Sequence, residues 1–205
     1  VEHHPALIGF IGAILGAIVG GTIAGVFSIL ATRQLLNEER QKSQDERQEG
    51  VKALLCALKS EVRSVWSHYM GDMGQHIEAL PQGQGCNYYF PIIGEYFPIY
   101  NGSVNSLGLI KDDLLRHSII SVHTLAKSLI DSYRLNNQLI DEWEEAKDKV
   151  FYIQTIHSQQ VAKAKEQELM AYSPSLKKLH GETKKAVEEL LEVLDTVTID
   201  PPSTA

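Results

Sequence analysis

The chain of 205 residues carries 26 Asp and Glu against 19 Lys and Arg, a formal net charge of −7. That balance argues against a broad DNA-coating surface and leaves room only for a local basic pocket. The length suits one membrane segment and one modest soluble domain, and Cys56 and Cys86 are too few and too far apart for a CxxC zinc or redox motif and read as free thiols.

Residues 5–32 contain no charged side chain and are mostly Ile, Leu, Val, Ala, Gly and Phe. As a helix rising about 1.5 Å per residue this run is roughly 40 Å long, more than the ~30 Å hydrocarbon core requires. A cleavable signal peptide needs a basic leading region and a short apolar core. Here the chain starts VEHHP, without Lys or Arg, and the run is about twice too long. The expectation is one N-terminal transmembrane helix within residues 1–36. Arg33, Arg40, Lys42 and Arg47 follow it closely and no Lys or Arg precedes it. The positive-inside rule then puts the N-terminus outside and the C-terminal domain in the cytoplasm, at an inner (cytoplasmic) membrane.

Every fourth residue sorts this helix into rows. Gly12, Gly16, Gly20, Ala24, Ser28 and Thr32 form one small row, and Gly9, Ala13, Ala17, Gly21 and Gly25 form its neighbour. The remaining rows are bulky, as in Phe10, Ile14, Ile18 and Val26. In lipid, helices associate by close packing rather than by leaving an apolar solvent, and small rows with GxxxG spacing allow that approach. These eleven small residues are expected to be an oligomerisation or pore face. A dimer and a ring enclosing a pore both satisfy the pattern.

Residues 37–50 have no core residue and many helix formers, and read as a polar helical stalk. From Val51 the stripe Val51, Leu55, Leu58, Val62, Val65, Tyr69, Met73, Ile77, Leu80 marks a bundle helix, closed by Pro81 and the glycines of PQGQG. Residues 81–110 form an aromatic loop holding Tyr88, Tyr89, Phe90, Tyr96, Phe97 and Tyr100. Pro91 and Pro98 argue against regular helix there, and a compact loop clamped onto the bundle by its aromatics is expected, with a short hairpin as one form it can take. A second long helix starts near Asp112 or Asp113 on the stripe Leu115, Ile119, Val122, Leu125 or Ala126, Leu129, Tyr133, Ile140, Trp143, Val150. It can run to about Tyr172, with a break after Gln154. Ser173-Pro174 reads as the cap and first position of a final helix carrying Leu176, Leu179, Thr183, Val187, Leu190 and Leu194. That helix stops before Asp200, leaving a disordered tail at 200–205. The fold class is all-α: one transmembrane helix followed by a cytoplasmic antiparallel helical bundle over residues 51–199 with an aromatic loop.

The run YFPIYNGSVNSLGLIKDDLLRHSIISVHTLAKSLID, residues 96–131, resembles a segment of small bacterial single-pass membrane proteins with a cytoplasmic helical domain. It joins an aromatic-Pro entry, an Asn, a Leu-Gly-Leu and an acid-capped helix. The whole arrangement is similar to channel effectors of bacterial phage defence, of the Hailong type. That resemblance implies an oligomeric channel with a signal-receiving cytoplasmic domain and carries no functional residue over.

Few constellations carry chemistry. His68, Asp72 and His76 share a helical face, but no fourth metal ligand is in view, and no metal or cofactor is expected. There is no P-loop, GxSxG or HExxH, so no enzyme is expected. The tyrosines Tyr88, Tyr89, Tyr96 and Tyr100 suit either base stacking or local core under a loop. Lys177, Lys178, Lys184 and Lys185 form a basic half-face, which is either a solvated surface or a site for an anionic ligand such as a nucleotide or a single-stranded oligonucleotide. The reading is an oligomeric inner-membrane channel-forming effector gated by a ligand-binding helical domain, in anti-phage defence. Its partners are the lipid bilayer, copies of itself, an anionic ligand and a signalling protein. The alternative is a membrane-tethered scaffold or sensor that recruits a protein partner.

Overall fold

The computed structural model describes the backbone of residues 5–198 other than 93, and side chains over residues 32–92 and 94–197. Among the described residues there are five α-helices: α1 (Pro5–Tyr69), α2 (Gln75–Ala79), α3 (Pro98–Ser103), α4 (Asp113–Ile153) and α5 (Ile156–Thr198). A π-helical turn, Met70–Gly74, joins α1 to α2, and a 3-10 turn, Val104–Leu109, follows α3. The chain divides into two compact units, Val1–Gly50 and Val51–Ala205.

In the first unit the backbone is helical from Pro5, and every side chain from Thr32 to Gly50 is exposed. Gln34 donates to Glu38 one turn on, at 3.1 Å. Among the described residues no helix is long and apolar enough to cross a membrane. The expected span and its small rows, apart from Thr32, lie on positions whose side chains are outside the described residues, as does the tail at 200–205.

The second unit is a helical bundle made by the C-terminal part of α1, α4 and α5, in which α1 and α4 run parallel and only α5 runs against them. This corrects the expected antiparallel arrangement, because the long loop between α1 and α4 carries the chain back to the starting end of the bundle. Its core has two parts. Near Val51, Leu55, Leu58 and Val62 meet Leu115, Ile119 and Val122 of α4 and Val187, Leu190 and Leu194 of α5, under Leu107 and Ile110. Farther along, Tyr69, Met73, Ile77 and Leu80 meet Leu129 and Tyr133 of α4, Leu176 of α5, and Cys86 and Phe90 of the loop. Alternating steps of three and four keep one stripe of α1 facing inward. The π turn adds one residue to a turn, and Tyr69, Met73 and Ile77 all stay buried across it.

Local chemistry fixes the ends. Asp112 caps α4 by accepting from the backbone N–H of Leu114 at 2.9 Å and of Leu115 at 3.0 Å. Gln154 ends it in the left-handed region, φ 49°, where its N–H still reaches the Val150 carbonyl at 3.1 Å. Thr155 and Ser158 then cap the start of α5 reciprocally: Thr155 Oγ1 accepts from Ser158 N–H at 3.1 Å and Ser158 Oγ from Thr155 N–H at 3.2 Å. This is a capping box with Ser in place of the usual Glu.

Two further expectations are corrected. Ser173-Pro174 does not begin a helix: Pro174 lies inside α5. Its ring removes one helical N–H, while Ser173 hydroxyl donates to the Leu169 carbonyl at 3.0 Å, and Leu169 and Leu176 on either side are buried. The aromatic loop holds no hairpin; among the described residues there is no strand. Pro98 occupies the first turn of α3, a position where its fixed φ is preorganised for helix rather than against it.

Since Pro174 leaves the Met170 carbonyl without its helical donor, Pro174→Ala should stabilise the bundle by about 2 kcal/mol, the restored hydrogen bond outweighing the extra freedom of the unfolded chain. Chemical denaturation checks this; a loss of stability would show that the proline is needed where it stands.

Candidate ligand cavity

The loop is fastened to the bundle by side chains that satisfy its backbone. Asn137 holds Phe90 by both ends, accepting from its N–H at 3.0 Å and donating to its carbonyl at 2.7 Å. Asn136 donates to the Cys86 carbonyl at 3.0 Å and Ser173 Oγ accepts from Cys86 N–H at 2.7 Å. Glu61, buried on α1, accepts from Ile99 N–H at 2.6 Å and Tyr100 N–H at 3.0 Å. Its charge therefore sits at the first turn of α3, where orphan N–H groups are otherwise unpaired.

So held, the loop roofs a cavity of about 220 Å³. Helix α1 supplies Ser64, Val65, Trp66, His68 and Tyr69, and α4 supplies Ala126, Leu129, Ile130 and Tyr133. The loop adds Phe90, Tyr96 and Phe97, and α5 adds Thr183. No Asp, Glu, Lys or Arg lies on this wall. A second recess of about 270 Å³ shares Tyr96, Phe97 and Ile130 with it and is bordered by Lys127, Asp131 and Arg134.

Beside the wall runs a hydrogen-bond chain through all three long helices. Tyr69 hydroxyl lies 3.0 Å from Tyr133 hydroxyl and 2.7 Å from His180 Nδ1. His180 Nε2 lies 3.3 Å from Glu78 Oε1, which also accepts from Lys184 at 2.7 Å. One proton arrangement satisfies every member: Tyr133 donates to Tyr69, Tyr69 to His180 Nδ1, and His180 Nε2–H to Glu78. It requires a neutral His180, and burial does push that imidazole below its ordinary value, against the pull of Glu78. Burial pushes both phenols well above theirs, while Lys184, then His180, hold the Glu78 carboxyl below its usual range.

His123 is a second buried imidazole. Its Nδ1–H donates to the Ile119 carbonyl at 2.7 Å, and its ring stacks on Tyr100 at 3.8 Å. Nε2 is left 3.7 Å from Glu61 Oε2, and it makes no hydrogen bond. Burial pushes this group down too, with Lys127 adding to that direction and the Ile119 carbonyl and Glu61 opposing it.

Of the residues singled out for ligand binding, only Tyr96 lines the cavity. Tyr88 stacks on His76 at 4.1 Å, Tyr89 is exposed, and Tyr100 rests on His123. Lys177 donates to the Leu80 carbonyl at 2.7 Å, whereas Lys178 and Lys185 extend into solvent with Glu182 at 3.7 Å and Glu189 at 3.8 Å. Among the described residues no group of His, Cys, Asp and Glu could hold a metal ion. Cys56 and Cys86 are free. Tyr69, Ala126 and Tyr133 escaped sequence reasoning because they sit on core stripes, and Trp66 because it lies beside one. The one available signal was that two stripe positions carry phenols, whose buried hydroxyls need partners.

Comparison with protein-family models, with curated proteins and with solved structures returns no match.

Two outcomes follow from the buried chain and imidazoles. Tyr69→Phe strands the acceptor of His180 and the donor of Tyr133, and should cost about 3 kcal/mol, whereas Tyr133→Phe removes only the terminal donor and should cost about 1 kcal/mol; equal losses would break the proposed direction of the chain. For pH, both histidines have folded values below the ordinary 6.5. The unfolded chain then binds more protons as pH falls through 6.5, so stability is full above that value and is lost below it. The melting temperature should decline from pH 7.5 to 5.5, with a shallower slope in His123→Gln; an unchanged slope would remove His123 from the account.

Proposed function

We propose that the protein is a non-enzymatic, oligomeric inner-membrane effector, in which residues 5–32 span the bilayer, self-associate and line a channel gated by the helical domain. The observation that carries this reading is the uncharged run with two unbroken rows of small residues, followed at once by Arg33, Arg40, Lys42 and Arg47. A segment built for close helix contact finds its partner in another copy or in another protein, and a second copy carries the same small rows. The bundle contributes an internal cavity, and a ligand that binds two states of a domain unequally shifts their populations. The resemblance of residues 96–131 and of the overall arrangement to phage-defence channel effectors supports a role in anti-phage defence. The lysine half-face remains the place where an anionic ligand would be sought, with Lys178 and Lys185 its solvent-facing members.

A second reading, a membrane-tethered scaffold, is favoured by one feature. At the turn between α4 and α5, Phe151, Tyr152 and Ile156 are 74%, 80% and 76% exposed, with Ile153 beside them. Grouped apolar side chains of this size are a usual mark of protein contact.

One experiment separates the two. The full chain, Gly16→Leu, Gly20→Leu and Ile18→Leu are expressed in bacteria, with membrane potential followed by dye and oligomer mass by native mass spectrometry. The channel reading expects depolarisation and an oligomer for the parent and Ile18→Leu, and loss of both in the two Gly→Leu variants. Oligomers that survive Gly16→Leu and Gly20→Leu would overturn the packing face. An intact potential with capture of a partner through Phe151 and Tyr152 would establish the scaffold.

A further inference from the structure

We infer that the cavity is a binding site for a small uncharged molecule with an aromatic or branched-alkyl body, the size of a substituted phenol. This deepens the gated-effector reading by naming what the helical domain senses, and it rests on that reading only for the consequence of binding, not for binding itself.

Three observations converge on the ligand class. The first is size: about 220 Å³ exceeds the roughly 150 Å³ of an apolar cavity that admits benzene. It therefore takes one ring with substituents and falls short of a nucleotide.

The second is the wall. Trp66, Tyr69, Phe90, Phe97 and Tyr133 present rings, and no Asp, Glu, Lys or Arg faces the space. A charged ligand entering here would shed its hydration with nothing to replace it. Aromatic walls instead favour flat rings by offset or edge contact.

The third is the distribution of polar groups. The hydroxyls of Tyr69 and Tyr133 are spent on each other and on His180, and that of Thr183 is spent on the Leu179 carbonyl at 2.8 Å. Inside, therefore, the wall offers little to a second polar group. Ser64 and His68 are different: they stand one turn apart on α1 at exposed positions while still bordering the cavity. They mark its rim, where one hydroxyl or amide of the ligand can be met while the apolar body points inward. The arrangement follows the usual division of ligand sites into an apolar pocket and a few placed polar groups.

The site reports on itself, because Trp66 lies on the wall and the other tryptophan, Trp143, lies under Lys147, which sits 3.6 Å above its ring. Full-length Trp143→Phe is reconstituted in lipid nanodiscs, and Trp66 fluorescence is titrated with 4-iodophenol, a heavy-atom quencher of the stated class. Ala126→Phe in the same background fills the cavity from the α4 side. We expect saturable quenching that weakens at least tenfold in Ala126→Phe and is absent with 4-iodobenzoate, which carries a full charge. Ala126→Phe must keep the helical signal and melting temperature of its parent; should it not, Ser64→Trp at the rim, read by displacement of 19F-labelled phenol in NMR, takes its place. Linear quenching that is equal in the parent and the filled variant means partition into lipid and overturns the site. Stronger quenching by the benzoate overturns the uncharged class. Saturable binding without any effect on membrane potential leaves the site standing and removes the channel.

Discussion

The hydroxyl of Tyr69 is the point at which α1, α4 and α5 are tied together. A phenol at 8% exposure cannot leave its oxygen unpaired without a cost of about 1–3 kcal/mol, and here it has both Tyr133 and His180 within hydrogen-bond distance. Apolar packing alone tolerates sliding of one helix against another by small amounts. A buried donor and acceptor on each neighbour does not, because the pairing is directional. The register of the three helices is set there, and the aromatic groups around it stack accordingly: Trp66 lies 5.0 Å from Tyr69, and Phe90 lies 5.2 Å from Tyr133.

The loop depends on the same logic from the opposite direction. It lacks the internal ladder of a helix or a sheet, so its buried backbone groups need partners from outside. Asn136, Asn137, Ser173 and Glu61 provide them, and this explains why polar residues stand at otherwise buried positions of long helices. Asn137 fixes Phe90 directly, and Glu61 fixes the first turn of α3 just after Phe97, so both ends of the cavity's roof are tied to the bundle. Tyr88, Tyr89, Ile99, Val104 and Leu109 of the same segment stay exposed on the outside.

Helix periodicity made the bundle legible: nearly all of the stripe from Leu55 to Leu80, and Leu115, Ile119 and Val122, are buried as the spacing requires. The Asp112 cap was equally visible, as was the break after Gln154. Ser173-Pro174 misled because the pair has the local signature of a helix start, and only the buried Leu169 and Leu176 on either side hold the chain helical through it. Thr155, which does cap α5, was hidden by having Ser158 rather than an acid at its third position. The cavity was not legible. Its walls come from four separate segments, and a missing volume has no residue to announce it. The tyrosines chosen from the loop were selected by density, yet Phe90 and Phe97, without a hydroxyl, turned inward while Tyr88 and Tyr89 stayed out.

The paired ends of α4 and α5 have a consequence of a different kind. Beyond Asn137 the two helices are held chiefly by each other, through Ile140, Ala146 and Leu169 and the Lys165–Glu142 pair at 2.9 Å. Neither core cluster has a buried residue between 134 and 175, and of this stretch only Tyr172 packs against one of them. Removing or adding about seven residues in each arm would return the facing positions to register without touching a cavity wall or the buried phenols. The length of this hairpin is therefore free to drift by matched pairs of heptads while the rest of the domain stays under constraint. It can be set by the distance to whatever meets Phe151 and Tyr152, much as a spacer is cut to fit its gap.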